Sequence, residues 1–262
     1  MKINFEDNTI SKGYHERLVN KIWYDTIKNE VDFTNKLVAD IGCGGGIYSK
    51  VIAQLGAKQV TGIDYSEKMI ANAKEHCKEY SNISFIQGSA DNTNLSSSSQ
   101  NIILERAFIH HLESLESNFL ECYRILKKEG LFIIQDRTPD DIKLKGSEEH
   151  IRGYFFELYP HLFPIDTKRR FSSESVNTAL KNTNFTLIKE FTLWETRRIY
   201  SSIEDLESDL MNRTGRSILY ELSNDELRKL TDYIIKSVTP FFIKNNSYTE
   251  QDRWTIWIAK KE

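Results

Sequence analysis

The chain has 262 residues, 39% hydrophobic and 11% aromatic, which is enough to bury one large core or two modest ones and too apolar for a disordered polymer. Its formal charge of −3 and isoelectric point near 6.1 deny it the basic field that generic phosphate-backbone binding needs, so small-molecule chemistry is favoured. Cys43, Cys77 and Cys122 lie far apart without a histidine spaced to complete a zinc site, no apolar run approaches the roughly 20 residues that span a bilayer, and the opening MKINFEDNTI is too polar for a signal peptide.

From Tyr14 to Lys28 the apolar positions Leu18, Ile22, Trp23 and Ile27 recur at three-to-four spacing and predict an amphipathic helix. LVADI (Leu37 to Ile41) and QVTGID (Gln59 to Asp64) then predict buried strands, with GIYSKVIAQLG as the helix between them, a βαβ unit whose crossover is right-handed. SEKMIANAKEHCKEY starts on Ser66 as an N-cap and predicts a second helix; ISFIQG (Ile83 to Gly88) is a third strand. NIILERA (Asn101 to Ala107) reads as a fourth strand, SLESNFLECYRILKKEG as a helix, and LFIIQD (Leu131 to Asp136) as a fifth strand. The alternation predicts an α/β fold, a doubly wound, Rossmann-like, mostly parallel sheet.

The alternation lapses after Asp136. Residues 137–165 hold three of the four prolines and the aromatic run YFFELYPHLF, followed by a serine-capped helix in SSESVNTALKN. FTLIKEFTLW (Phe185 to Trp194) and RWTIWIAKK (Arg253 to Lys261) predict an antiparallel pair finishing a seven-stranded sheet, with helical patterns around SIEDLESDLMNR and NDELRKLTDYIIKSV between them. The boundaries expected are cap helices over 1–35, a cofactor-binding core over 36–136, a lid insertion over 137–170, and the rest of the sheet over 171–262 with a helical insertion at 199–246.

Gly42, Gly44 and Gly46 place a G-x-G-x-G run where the first strand meets its helix, and glycine there lets the backbone approach a ligand that a Cβ would hit. Nicotinamide, flavin and S-adenosylmethionine binders all share this pattern. Asp64 ends the second strand, 22 residues beyond Gly42, where a carboxylate can accept both hydroxyls of an adenosine ribose. Asp40, two residues before the first glycine, would repel a pyrophosphate and favour a ligand with an amino group and a sulfonium.

In order and spacing, VADIGCGGG, VTGIDYSEKMI, FIQGSADNTNL, RAFIHHL and RILKKEGLFIIQD resemble the class I S-adenosylmethionine-dependent methyltransferases, densely from Leu37 to Asp136 and thinly beyond. The resemblance sets Gly42, Cys43 and Gly44 against the methionine portion of S-adenosylmethionine, Asp40 near its amino group and Asp64 on the ribose. It places Tyr65 and Met69 beside the adenine, Ser89 and Ala90 at the adenine edge, and Arg106 at the close of the fourth strand by the methionine moiety. Where many members carry an acid this chain has Ser89, which leaves Asp91 as an alternative partner for the adenine amino group, and KKEG replaces the usual KPGG turn. Cys43 at a helix N-terminus invites a nucleophilic role, yet the resemblance gives that position a backbone role alone.

Methyl transfer from a sulfonium requires an aligned acceptor, exclusion of water and often removal of a proton. His110 and His111 follow the fourth strand and Asp136 ends the fifth, so a histidine base oriented by a carboxylate is expected, with the choice between the two histidines open. Some small-molecule O-methyltransferases of the class carry a similar arrangement, and an N-P-P-Y-like tetrapeptide is absent. Specificity is expected outside the sheet, where Tyr14, Trp23, Tyr154, Phe155, Phe156, Tyr159 and Phe163 are candidates for a pocket roof or ordinary core. TKRR (Thr167 to Arg170), Arg197, Arg198, Arg213 and Arg216 read as a local anion site or, since acids and bases are equal in number over 137–216, as solvated surface. The expected protein is a cytoplasmic, monomeric or homodimeric methyltransferase of a small-molecule acceptor, using no membrane, nucleic acid or metal. An RNA methyltransferase, a nicotinamide oxidoreductase and an idle cofactor-binding module are the alternatives.

Overall fold

The computed structural model describes residues 21–262. Helix α1 (Lys21–Glu30) continues the first predicted helix, whose Tyr14 and Leu18 lie outside the described residues; Trp23 and Ile27 are buried, while Ile22 is 40% exposed. Strands β1 (Leu37–Ile41), β2 (Gln59–Asp64), β3 (Ile83–Gln87) and β4 (Gln100–Arg106) alternate with helices α2 (Ile47–Gln54), α3 (Glu67–His76) and α4 (Leu115–Ile125). Strand β5 (Leu126–Asp136) follows α4 at once, so the LKKEG segment expected to end the helix is strand instead. The fully buried Leu126 and the left-handed Glu129 (φ +64°) explain this: an early pairing of Gln100 with Leu126 breaks register before the ladder resumes at Ile102 with Leu131.

The sheet has seven strands in the order β3-β2-β1-β4-β5-β7-β6, where β6 is Phe185–Tyr200 and β7 is Tyr248–Lys261. Strands β1 to β5 pair in parallel and β7 runs antiparallel to β5, from Leu131 opposite Lys260 to Asp136 opposite Thr255. The chain's last strand therefore lies inside the sheet, with β6 at the edge. Burial accounts for the order: β7 puts Trp257 and Ala259 into one apolar layer and Ile256 and Ile258 into the other, whereas most of β6 is at least partly exposed.

The chain divides into two compact units. The first comprises the described residues up to Asp136 together with 171–193 and 255–262. One face of its sheet packs Ile41, Ile103 and Ile134 against Phe119 and Cys122 of α4 and Val176 and Leu180 of α8 (Ser173–Asn182). The other packs Val38, Leu104 and Ile133 against Trp23, Ile27, Val51 and Ile52 of α1 and α2.

The second unit, 137–170 with 194–254, contains the short helices α5 (Pro139–Ile142), α6 (Arg152–Leu158) and α7 (Leu162–Thr167) and the longer α9 (Ile203–Met211) and α10 (Asn224–Asn245). Phe155 and Leu162 are fully buried among Leu206, Leu210, Leu227, Leu230 and Ile234, with Tyr154, Phe156 and Tyr159 packed on this cluster. These aromatics form the unit's own core.

Two of the arginines read as anion site or solvated surface, Arg197 and Arg216, are neither: both lie in the second unit's interior. Arg216 is 1% exposed and donates to Asp209 and, at 2.6 Å, to Glu250, while Arg197 reaches the same two acids at 3.1 and 3.0 Å. Tyr200 completes the knot, its hydroxyl lying 2.7 Å from Glu250 and 2.9 Å from Asp209 with one hydrogen to give to either. Burial alone would raise the Asp209 carboxyl, but Arg216 and Arg197 hold it well below the usual range. Because removing one partner leaves a buried charge uncompensated, Arg216→Met is expected to destabilise the protein by about 3–5 kcal/mol in urea unfolding, with Arg216→Lys recovering part of the loss. A change under about 1 kcal/mol in Arg216→Met would contradict this account of the knot.

Candidate active site

In a parallel sheet the carboxyl ends of the strands share one edge, and here β1, β2, β4 and β5 deliver Ile41, Asp64, Arg106 and Asp136 to it. After β1 the chain turns through Gly42 to Gly46. The backbone N–H groups of Gly42 and Cys43 both donate to Ile63 O, at 2.8 and 3.0 Å, and the Gly44 N–H donates to Asp64 Oδ2 at 2.9 Å. Two glycines are needed for different reasons. At Gly42 (φ +71°) a Cβ would stand 2.2 Å from the Phe108 ring; at Gly44 (φ +51°) it would meet nothing within 4 Å, so there the bare backbone faces open space that a ligand can enter.

Two acids flank this loop. Asp64 is shared between backbone donors, its Oδ1 accepting from Ser66 N at 2.9 Å, and Ser66 in turn caps α3 by accepting from Met69 N. A carboxylate oxygen has two lone-pair directions, so an acid in this position is of the kind that receives ribose hydroxyls. Asp40 is 3% exposed and accepts from Ser49 Oγ at 2.5 Å. Burial pushes its carboxyl up to about 7; the Asp64 charge adds to the rise, while Ser49 and the Arg106 charge oppose it. A buried acid in that position is stabilised by a cation, and the methionine part of S-adenosylmethionine carries an ammonium. The residues therefore fit the cofactor. Arg106 itself stacks on Tyr48 of α2, 4.1 Å from the ring centre. Burial pushes the Cys43 thiol well up, which leaves it a packed residue rather than a nucleophile.

Beyond β2, Tyr65 is 80% exposed and Met69 is buried in the first turn of α3. After β3, Ser89 Oγ donates to Asp91 Oδ1 at 2.6 Å, so the two residues that could read an adenine are joined to each other. Between them, the Ala90 carbonyl accepts from Asn118 Nδ2 of α4 at 3.1 Å.

The sequence left His110 and His111 equal; the fold separates them. Both sit in a 3-10 turn, Ile109–His111, directly after β4. His110 places Nδ1 2.8 Å from Asp136 Oδ2 and 3.1 Å from Oδ1, and its backbone N–H donates to Oδ2 at 3.2 Å. Asp136 is 1% exposed at the end of β5. His111 is exposed, its ring centre 4.0 Å from that of His110. An Nδ1–H directed at a buried carboxylate fixes the tautomer with the Nε2 lone pair as the basic position.

Residues that sequence reasoning passed over also build the site. Ser49 supports Asp40 from α2, and Asn118, Glu121 and Arg124 on α4 hold the loop after β3. Their one signal in the sequence is polarity at helix positions that the periodicity assigns to a buried face.

Residues 39–134 match the methyltransferase-domain family. The sterol 24-C-methyltransferase of Saccharomyces cerevisiae is 27% identical over 159 residues, 58% of this chain and 39% of that one. A ubiquinone biosynthesis O-methyltransferase of Nitrosococcus oceani is 28% identical over 158 residues, 53% of this chain and 66% of that one, so the chain spans under two thirds of either relative. The solved structure of an S-adenosylmethionine-dependent methyltransferase from Methanosarcina mazei covers 90% of this chain and 96% of its own at 16% identity with a TM-score of 0.58, a likeness of fold. The domain's cofactor is S-adenosylmethionine.

Were the cofactor's ammonium to pair with the Asp40 carboxylate, affinity would rise as pH climbs towards about 7. Calorimetry across pH checks this: Asp40→Asn should flatten the acid limb and weaken binding by about tenfold or more. An unchanged limb in that variant would remove Asp40 from the ammonium site.

Proposed function

We propose, from the match of residues 39–134 to the methyltransferase-domain family, that the protein is a class I S-adenosylmethionine-dependent methyltransferase that methylates an oxygen of a small-molecule acceptor, with His110 as the general base. The observation that carries this reading is the His110–Asp136 pair at the carboxyl edge of the sheet. A hydroxyl acceptor must lose its proton as the new bond forms, and a positioned imidazole is suited to take it. When bound, S-adenosylmethionine supplies a methyl group activated by its sulfonium.

The chain's own groups divide the remaining work. Asp40 holds the ammonium and Asp64 the ribose hydroxyls, while the backbone at Gly44 admits the methionine part. Asp91, oriented by Ser89, takes the adenine amino group, and Tyr65 and Met69 flank the ring. Asp136 orients His110 and stabilises the imidazolium that forms when Nε2 accepts the acceptor's proton. His111 is left out of the base role because its ring leans on His110 from the exposed side.

An oxygen acceptor has support from the ubiquinone biosynthesis O-methyltransferase among the relatives. An RNA acceptor has less: the net charge is negative, and Arg197 and Arg216 are engaged by Asp209 and Glu250.

With an acceptor found by screening hydroxylated metabolites against methyl-labelled cofactor, His110→Gln is expected to lower kcat by about 10²–10⁴ and to abolish the acid limb of its pH profile. Asp136→Asn should act in the same direction by favouring the wrong tautomer, and His111→Gln should cost far less. A His110→Gln enzyme with near wild-type turnover and an intact acid limb would refute the base, and label recovered on carbon or nitrogen would refute the oxygen acceptor.

A further inference from the structure

One buried carboxyl takes no part in the site as described. Glu105 lies on β4, next in sequence to Arg106, with its side chain at 0% exposure on the opposite face of the sheet, beneath α4. Its neighbours in register, Ile41 on β1 and Ile134 on β5, are apolar. The titratable groups facing it are Asp136 on β5 and Cys122 on α4; the nearer charge is of its own sign. No cation among the described residues forms an ion pair with it.

What it does touch is Asn118. Asn118 Nδ2 donates one hydrogen to Glu105 Oε1 at 2.8 Å and the other to the Ala90 carbonyl at 3.1 Å, so both amide hydrogens are used. Cys122 Sγ lies 3.5 Å from the same Oε1. The other atom of each group, Glu105 Oε2 and Asn118 Oδ1, is buried and meets no donor among the described residues. Both atoms are acceptors when the acid is ionised, and a buried acceptor left unpaired is costly. One proton on Oε2 supplies the donor that both lack.

The amide held in this way belongs to a row. Asn118, Glu121 and Arg124 stand three residues apart along α4, and each grips the chain between β3 and β4. Glu121 Oε1 accepts from Thr93 N at 2.8 Å and from Thr93 Oγ1 at 2.5 Å, and Arg124 donates to Leu95 O at 2.7 Å. Asn118 holds the first residue of the row, Ala90, between Ser89 and Asp91.

We propose that Glu105 is a positioning residue for the cofactor's adenine: as a neutral acid it donates from Oε2 to Asn118 Oδ1 and so fixes the amide that holds Ala90. This rests on the reading of residues 89–91 as the adenine-contacting stretch. Burial pushes the Glu105 carboxyl up to about 8, with Asp136 adding to the rise and Asn118 and Cys122 opposing it, which keeps the acid protonated at neutral pH. Above that pH the ionised carboxylate confronts Asn118 Oδ1 as a second acceptor, the amide is released, and the Ser89–Asp91 stretch loosens. Cofactor affinity then declines on the alkaline side.

The test compares wild type, Glu105→Gln and Glu105→Ala by calorimetry with S-adenosylhomocysteine from pH 6 to pH 9. The glutamine reproduces the neutral pairing, since its Nε2 donates where the acid's proton did and its Oε1 still accepts. The expected result is tight binding at pH 7 in wild type and Glu105→Gln, an alkaline loss in wild type that the glutamine lacks, and roughly tenfold weaker binding in Glu105→Ala. The ligand's own amine titrates identically with each protein, so the difference between wild type and Glu105→Gln isolates the carboxyl. Difference infrared titration without cofactor supplies the second readout: a protonated-carboxyl C=O band at pH 7 that fades above about pH 8 and is missing from Glu105→Gln. Coincident alkaline limbs in wild type and Glu105→Gln, or a wild type without that band, would overturn the positioning role. Failure of wild type to bind S-adenosylhomocysteine at any pH would overturn the cofactor reading as well.

Discussion

The carboxylate of Asp64 bridges two turns, taking the N–H of Gly44 on one oxygen and that of Ser66 on the other. The end of β2 is thereby tied to the loop that leaves β1, and Ser66 is placed to cap α3. Parallel strands bring these turns to a common edge; the acid fixes their mutual geometry. With the loop held, Gly44 presents bare backbone to open space, and the Asp64 oxygens proposed to take the ribose stand in the positions set by the same bonds. The interactions that finish the fold thus preorganise the proposed cofactor seat.

The two units bury charge by different means, and the difference separates function from scaffolding. In the second unit Asp209 and Glu250 are matched by Arg197 and Arg216 with tyrosine donors filling in, which removes the penalty of burial without leaving a group to react. In the first unit Asp40 and Glu105 are buried without an ion-pair partner among the described residues, and both carboxyls are pushed into the neutral range. An acid kept in that condition is costly to the fold, since the folded state holds its proton between about pH 4 and the raised value and stability falls as pH rises through that window. Asp40 is the acid proposed to meet the cofactor's ammonium, and Glu105 faces the helix that braces the loop around Ala90. The expense falls where binding can offset it.

Much of this was legible in the residues. Periodicity located β1 to β5 and the helices between them because each strand is buried on both faces and each helix on one, patterns that local sequence expresses directly. The glycines and Asp40 pointed to a sulfonium cofactor because the chemistry of a positive φ and of a buried acid does not depend on distant contacts. The end of α4 was misjudged by five residues, since LKKEG favours a helix on its own and is drawn into β5 by a partner, Gln100, that lies on another strand. The order of the last two strands was also hidden, as only the burial of both faces of β7 shows that it lies inside β6.

By itself the sequence determined the class of fold and the cofactor, because these follow from short-range pattern and from the charge of single side chains. Tertiary structure decided what depends on pairs far apart in the chain. It brought Asp136 beside the His110 ring, it turned Arg197 and Arg216 of the second unit inward onto acids, and it set Glu105 against Asn118, which also holds the Ala90 carbonyl. A side chain's type is local information; the identity of its partner, and hence its protonation, is fixed only when the chain has closed.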